Sequence, residues 1–286
     1  MSKIKVSELF YSIQGEGRYM GVPSVFLRTF GCNFTCGGFG LSKGSLSNER
    51  DLIAARISEF KNYKDLPLVH TGCDSYASWD PRFKDLSPVI ATDGIVKSIM
   101  DLLPHREWRD EHLVITGGEP LLGWQRSYPD LLDHTLMQKL TEITFETNGT
   151  QSLTDDFKHY LQKWIQRRFP HGPGGEITFS VSPKLSISGE KWEDAIRPEV
   201  VVDYQSVGYV YLKFVITGLS DINEVNDAVD LYRSKGFKGP VYLMPVGGVD
   251  SVYNMHNRQV AETAMKFGFR YSDRLQVPLF KNAWGT

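Results

Sequence analysis

Residues Leu27–Cys36 read LRTFGCNFTC, and with Cys73 in the stretch GCDSYASW they account for all 3 cysteines of the 286-residue chain. Cys32 and Cys36 lie four apart in a glycine-flanked loop after the apolar run PSVFLRTFG, whose β-branched and aromatic content marks a buried strand. Three thiolates can hold three irons of a four-iron cluster and leave the fourth open to a small ligand. Buried cysteines are also commonly inert packing, and structural zinc would need a fourth ligand such as His70. A disulfide framework fits poorly, because the count is odd and the chain is not short.

Around this stretch the composition is that of an ordinary globular protein, 41% hydrophobic and 23% charged, with length for one large α/β domain or two small ones. A net charge of −2 gives no electrostatic reason to expect nucleic acid or an anionic membrane as partner. No apolar run is long enough for a membrane span, and the polar start MSKIKVSELFYSIQGEG does not read as a signal peptide. The expected location is the cytoplasm, where thiols stay reduced.

The rest of the chain alternates strand and helix. Strands are expected at Ile4–Ile13, Pro23–Phe30, His112–Thr116, Ile143–Thr147, Ile177–Val181, Tyr209–Ile216 and Val241–Met244. Helices are expected at Thr92–Leu103, Leu131–Leu140, Thr154–Arg168, Asp221–Lys235 and Val252–Phe267. About six strands recur in the alternating part, too few for a closed eight-stranded barrel. The pattern therefore predicts a partial, open parallel β/α barrel, with its site at the C-terminal strand ends.

One such end carries Thr116-Gly117-Gly118-Glu119-Pro120, where two glycines let backbone approach a ligand and a carboxylate can accept from an amine. A tight turn capped by Pro120 is the plainer reading. CxxxC after the first strand of the parallel run and GGEP after the next resemble the radical S-adenosylmethionine superfamily. The flanking FYSIQGEGRYMGVPSVFLRTFGCN, GCDSY, TGGEP, FETNGT, VSPK, LKFVI and LFKNAWG resemble, in the same order, the 7-carboxy-7-deazaguanine synthase family.

The resemblance implies a single radical S-adenosylmethionine domain over 1–286. It implies a carbon–nitrogen lyase that would convert 6-carboxy-5,6,7,8-tetrahydropterin to 7-carboxy-7-deazaguanine with loss of ammonia, as in queuosine-type 7-deazapurine biosynthesis. It implies a [4Fe-4S] cluster on Cys32, Cys36 and Cys73. Gly117, Gly118, Glu119, Glu146, Asn148, Ser182 and Lys184 would hold S-adenosylmethionine. Gln14, Gly15, Glu16, Arg28 and Thr116 would hold substrate, with Arg28 on its carboxylate. Ser75 stands where the family has a threonine that ligates Mg²⁺. An electron donor such as flavodoxin or ferredoxin and a homodimer are implied in the same way.

The chain departs from the family in two places. The third cysteine comes late, giving Cys-x3-Cys-x36-Cys, so 37–72 reads as an insertion in the cluster loop, with a short helix suggested by Ile53, Ile57 and Phe60. Loop-closure entropy grows only logarithmically with length, so the insertion is tolerable. Phe280 occupies the position where similar proteins often carry a histidine. His70, His105, His112, His134, His159, His171 and His256 match no motif. Two other readings stay open: a different radical S-adenosylmethionine enzyme such as a glycyl-radical activase, and a non-catalytic zinc or protein-binding descendant.

Overall fold

Period-two alternation along the apolar runs sorts their side chains between two faces of one sheet. The computed structural model describes residues 2–168 and 176–286; His171 lies outside them. Strand β1 (Lys3–Ile13) pairs antiparallel with β2 (Pro23–Thr29) and with the short β3 (Val89–Ala91). From β2 onward all pairings are parallel, through β4 (His112–Gly117), β5 (Glu142–Thr147), β6 (Glu176–Val181), β7 (Tyr209–Ile216), β8 (Val241–Pro245) and the two-residue β9 (Arg270–Tyr271). The order β3-β1-β2-β4-β5-β6-β7-β8-β9 leaves β3 and β9 as the two edges of an open sheet. The expected six-strand parallel run is β2 and β4 to β8, and three shorter or antiparallel strands extend it.

Helices α1 (Glu49–Ala54), α2 (Thr92–Leu102), α3 (Tyr128–Leu132), α4 (Asp155–Arg168), α5 (Trp192–Ala195), α6 (Pro198–Tyr204), α7 (Ile222–Ser234), α8 (Asp250–Phe267) and α9 (Gln276–Phe280) complete the architecture. Outward strand residues such as Ile115, Phe145, Phe179, Leu212 and Leu243 join Phe157, Leu161 and Trp164 of α4 and Val225 of α7 in the main core. The inward alternates turn polar toward the C-terminal mouth, where Arg28, Thr116, Glu146, Ser180 and Lys213 line a cavity of about 250 Å³. Among the described residues no helix is long and apolar enough to cross a membrane.

One expected helix is divided. In place of a helix over 131–140, α3 starts with Pro129 in its first turn and ends at Leu132, and a 3-10 turn follows at Thr135–Met137. The cause is His134, which leaves helical geometry and accepts from the Leu136 N–H at 3.2 Å, while its other ring nitrogen lies 3.3 Å from Asp93. The helix expected near Ile53, Ile57 and Phe60 is α1 followed by a 3-10 turn at Ile57–Glu59.

Residues 37–72 do not dangle. Tyr63, Leu66 and Val69 form a second small core with Tyr76, Ala77 and Phe83, and Trp284 packs against it. The Trp284 indole N–H donates to the Leu66 carbonyl at 2.7 Å and its ring meets Tyr63 edge-on at 4.9 Å.

Candidate active site

Cys32 leaves the end of β2, and the backbone folds back at once: Gly31 has φ 121° and donates to the Ser78 carbonyl at 2.8 Å. Cys36 sits in the left-handed region at φ 47°, unusual for a residue with a side chain. Cys73 returns from the 37–72 segment. All three thiols are free, line the same cavity and gather around Phe34, Phe39 and Ala195. Cys32 Sγ accepts from the Phe34 N–H at 3.4 Å and Cys73 Sγ from the Trp79 indole at 3.3 Å. N–H donors of this kind tune the potential of a thiolate-bound cluster.

Burial pushes the Cys32 thiol up to about 12 and also raises Cys36 and Cys73, with neighbouring thiols and acids adding to the rise. Metal binding would therefore displace protons from all three. Among the described residues no group of three or more His, Cys, Asp or Glu is gathered closely enough to hold a single metal ion. The His70 ring sits 3.6 Å from Glu49 and is largely exposed, so it does not complete a zinc site with Cys73. Three soft donors without a fourth fit a cluster that keeps one iron open.

The glycines of TGGEP do steric work. A Cβ on Gly118 would fall 2.5 Å from the Gly31 carbonyl oxygen and 2.7 Å from Cys32 Cβ, and Glu119 N donates to that same carbonyl at 2.7 Å. The loops after β2 and β4 are thus in backbone contact. Gly118→Ala is expected to displace Cys32 and lower iron uptake several-fold while leaving the far-UV circular dichroism unchanged; iron analysis after anaerobic reconstitution checks it.

Glu119 does not face the cavity directly. Its side chain is fully buried beneath the cavity wall rather than lining it. The carboxylate accepts from Asn148 N at 2.7 Å, Leu121 N at 3.0 Å and Thr147 Oγ1 at 2.8 Å. Burial pushes its carboxyl up to about 7 against the pull of those donors. Here the glutamate braces the end of β4 to the end of β5, and Gly117 and Gly118 supply the exposed surface. Glu146, Asn148, Ser182 and Lys184 line the cavity; Lys184 Nζ donates to Ser182 Oγ at 3.1 Å.

Gln14, Gly15 and Glu16 also line the cavity. Glu16 is clamped by Lys213, by Arg274 Nε at 3.1 Å and by Gln276 Nε2 at 2.9 Å. Burial alone would raise its pKa, but Lys213 and Arg274 pull it down to about 2, so the carboxylate is a fixed acceptor. Gln14 Nε2 donates to Glu146 Oε1 at 3.1 Å, which ties the turn after β1 to the end of β5. Arg28 Nε pairs with Glu8 at 2.9 Å, and a second guanidinium nitrogen donates to Ser75 Oγ at 3.1 Å in the cavity. Ser75 Oγ also donates to Asp74 at 3.3 Å, and Asp74 pairs with Arg274 at 2.5 Å.

Glu8, Asp74, Lys213 and Arg274 line the cavity and were not among the expected site residues. Lys213 carried a signal, since a lysine inside the apolar strand LKFVI must find a buried partner. Arg274 and Asp74 sit in polar segments with no periodicity to mark them. At the C-terminal end Phe280 is partly exposed and off the cavity wall; that stretch of wall is built by Asn282 and Trp284 instead. Asn282, at φ 53°, donates to the Gly248 carbonyl at 2.8 Å.

Three free thiols and a glycine-rich loop at the C-terminal mouth of an open parallel α/β sheet are the layout of the radical S-adenosylmethionine class. No family model matches the chain. It is similar to the 7-carboxy-7-deazaguanine synthase of Halobacterium salinarum, 30% identical over 98% of this chain and 91% of that protein. The synthase of the same name from Pyrobaculum aerophilum is 26% identical over 99% of this chain and 97% of its own length. The crystal structure of QueE from Escherichia coli shares the fold with a TM-score of 0.53 at 18% identity, covering 96% of this chain and 94% of that one. The chain belongs to the 7-carboxy-7-deazaguanine synthase family.

Proposed function

We propose that this chain converts 6-carboxy-5,6,7,8-tetrahydropterin to 7-carboxy-7-deazaguanine with release of ammonia, using a [4Fe-4S] cluster and S-adenosylmethionine. One observation carries the reading: a single cavity is lined both by three free thiols and by the charged set Glu16, Arg28, Lys213 and Arg274. Such a buried charged wall suits a small charged substrate better than the protein partner of a glycyl-radical activase, and among the described residues no fourth ligand for a zinc module is gathered with the thiols.

When bound, the cluster and S-adenosylmethionine supply radical hydrogen abstraction, aimed here at C6 of the pterin. Cys32, Cys36 and Cys73 are the cluster ligands in this reading. Gly117, Gly118, Glu146, Asn148, Ser182 and Lys184 hold the cofactor, with Glu119 acting from behind. The ionised Glu16 accepts from the N–H and amino edge of the pterin ring, with Gln14, Gly15 and Thr116 beside it. Arg28 offers a guanidinium to the substrate carboxylate, the planar fork that suits that group. Walls built of fixed dipoles and ion pairs replace water around the reacting ring.

Ser75 Oγ is the protein oxygen proposed for Mg²⁺, an ion that prefers oxygen donors and retains water and substrate ligands. Ser75→Ala is expected to raise the Mg²⁺ concentration needed for half-maximal rate; an unchanged magnesium titration would put that ion elsewhere. We further read 1–286 as one domain with 37–72 inserted in the cluster loop, working in the cytoplasm as a homodimer and reduced by a flavodoxin or ferredoxin. Iron and sulfide analysis after anaerobic reconstitution tests the cofactor assignment. About four of each per chain supports it, and stoichiometric zinc with no sulfide overturns it.

A further inference from the structure

The left-handed turn at Cys36 has a partner far away in sequence. One carboxylate oxygen, Glu190 Oε1, accepts from Thr35 N at 2.8 Å, Cys36 N at 2.7 Å and Thr35 Oγ1 at 3.2 Å. Glu190 belongs to the segment that follows β6, the strand whose end carries Ser182 and Lys184. That segment is moulded to the cysteine loop. Gly38 N donates to the Ser188 carbonyl at 2.8 Å, and a Cβ on Gly38 would fall 2.7 Å from the Ile187 carbonyl oxygen. Its far end is tied to α7, where Glu224 accepts from Ser186 N at 2.6 Å.

Backbone N–H groups of a loop in an uncommon conformation need acceptors, and φ 47° at a cysteine persists only where surroundings over-determine it. Glu190 supplies that determination for the one cluster cysteine whose sulfur shows no N–H donor of its own among the described hydrogen bonds. We propose that Glu190 is a positioning residue for the cluster, holding Cys36 in the conformation that turns its thiol into the cavity beside Cys32 and Cys73. The same segment would then link the second cluster ligand to the cofactor contacts at Ser182 and Lys184. This inference rests on reading the three cysteines as cluster ligands.

The test uses full-length protein reconstituted anaerobically, with three readouts: iron per chain, the electron paramagnetic resonance spectrum of the reduced state, and the rate of iron loss to a chelator. Glu190→Ala is expected to lose iron roughly 10–100-fold faster, the usual cost of removing an outer-shell partner, and to show an altered spectrum. Glu190→Gln keeps an acceptor oxygen and is expected to restore both toward wild type, a rescue that a merely bulk effect would not give. Should the alanine variant fail to fold, Glu190→Asp, which withdraws the acceptor by one methylene, serves in its place with the same expected direction. Wild-type iron retention and spectrum in the alanine or aspartate variant would overturn the proposal, as would equal damage in the glutamine variant. If wild-type protein takes up no iron, the cluster reading itself fails and this inference falls with it.

Discussion

Cys73→Ala is expected to abolish the visible charge-transfer absorbance of the reconstituted protein and to reduce turnover by more than about 100-fold, beyond the usual cost of an outer-shell change. The reason is geometric. Cys73 reaches the thiol group around Phe39 from the far side of a 36-residue excursion, and His70 beside it is turned to Glu49. Cys32, Cys36 and Cys73 are all the cysteines the chain has, so no other thiol can substitute for it. Trp79, which donates to Cys73 Sγ at 3.3 Å, would lose its acceptor. Optical spectra and iron analysis of the variant beside wild type decide the matter. A variant that keeps both its colour and its rate would remove Cys73 from the ligand set.

The second large effect is expected at Arg28. Arg28→Ala would leave Glu8 buried without its cation, at a cost of about 3–5 kcal/mol, and so would confound folding with function. Arg28→Lys keeps the charge and discards the fork. We expect kcat/KM to fall by about 30-fold or more, the equivalent of about 2 kcal/mol from a lost charge-assisted contact, while the cluster spectrum stays that of wild type. Steady-state kinetics on the pterin, with spectra of the same preparation, separate the two roles. An unchanged kcat/KM would leave Arg28 only its structural contacts with Glu8 and Ser75.

How much of this was legible beforehand follows from what each residue answers to. Strands and the main helices obey local periodicity, so β4 to β8 and α4, α7 and α8 fall within a few residues of their expected bounds. The cysteines, TGGEP and SIQGEG were legible because their chemistry is rare in sequence. The break between α3 and the turn at Thr135–Met137 was not, because a single side-chain cap at His134 overrides a helical apolar pattern. The direction of Glu119 was hidden for a similar reason: whether a strand-end carboxylate faces a cavity or a neighbouring strand depends on donors supplied 28 and 29 residues later, at Thr147 and Asn148. Arg274 and Glu190 were invisible because they act at separations of 258 residues, to Glu16, and 154 residues, to Cys36. Neither carries a local pattern that announces a partner.

Anaerobic turnover shows whether one cavity joins a three-cysteine cluster to residues that read a pterin. Reconstituted protein, a strong reductant, S-adenosylmethionine, Mg²⁺ and 6-carboxy-5,6,7,8-tetrahydropterin are incubated together, and the products are read by mass spectrometry. The expected product is 7-carboxy-7-deazaguanine, formed in step with released ammonia. Cleavage of S-adenosylmethionine without any conversion of the pterin would contradict that expectation.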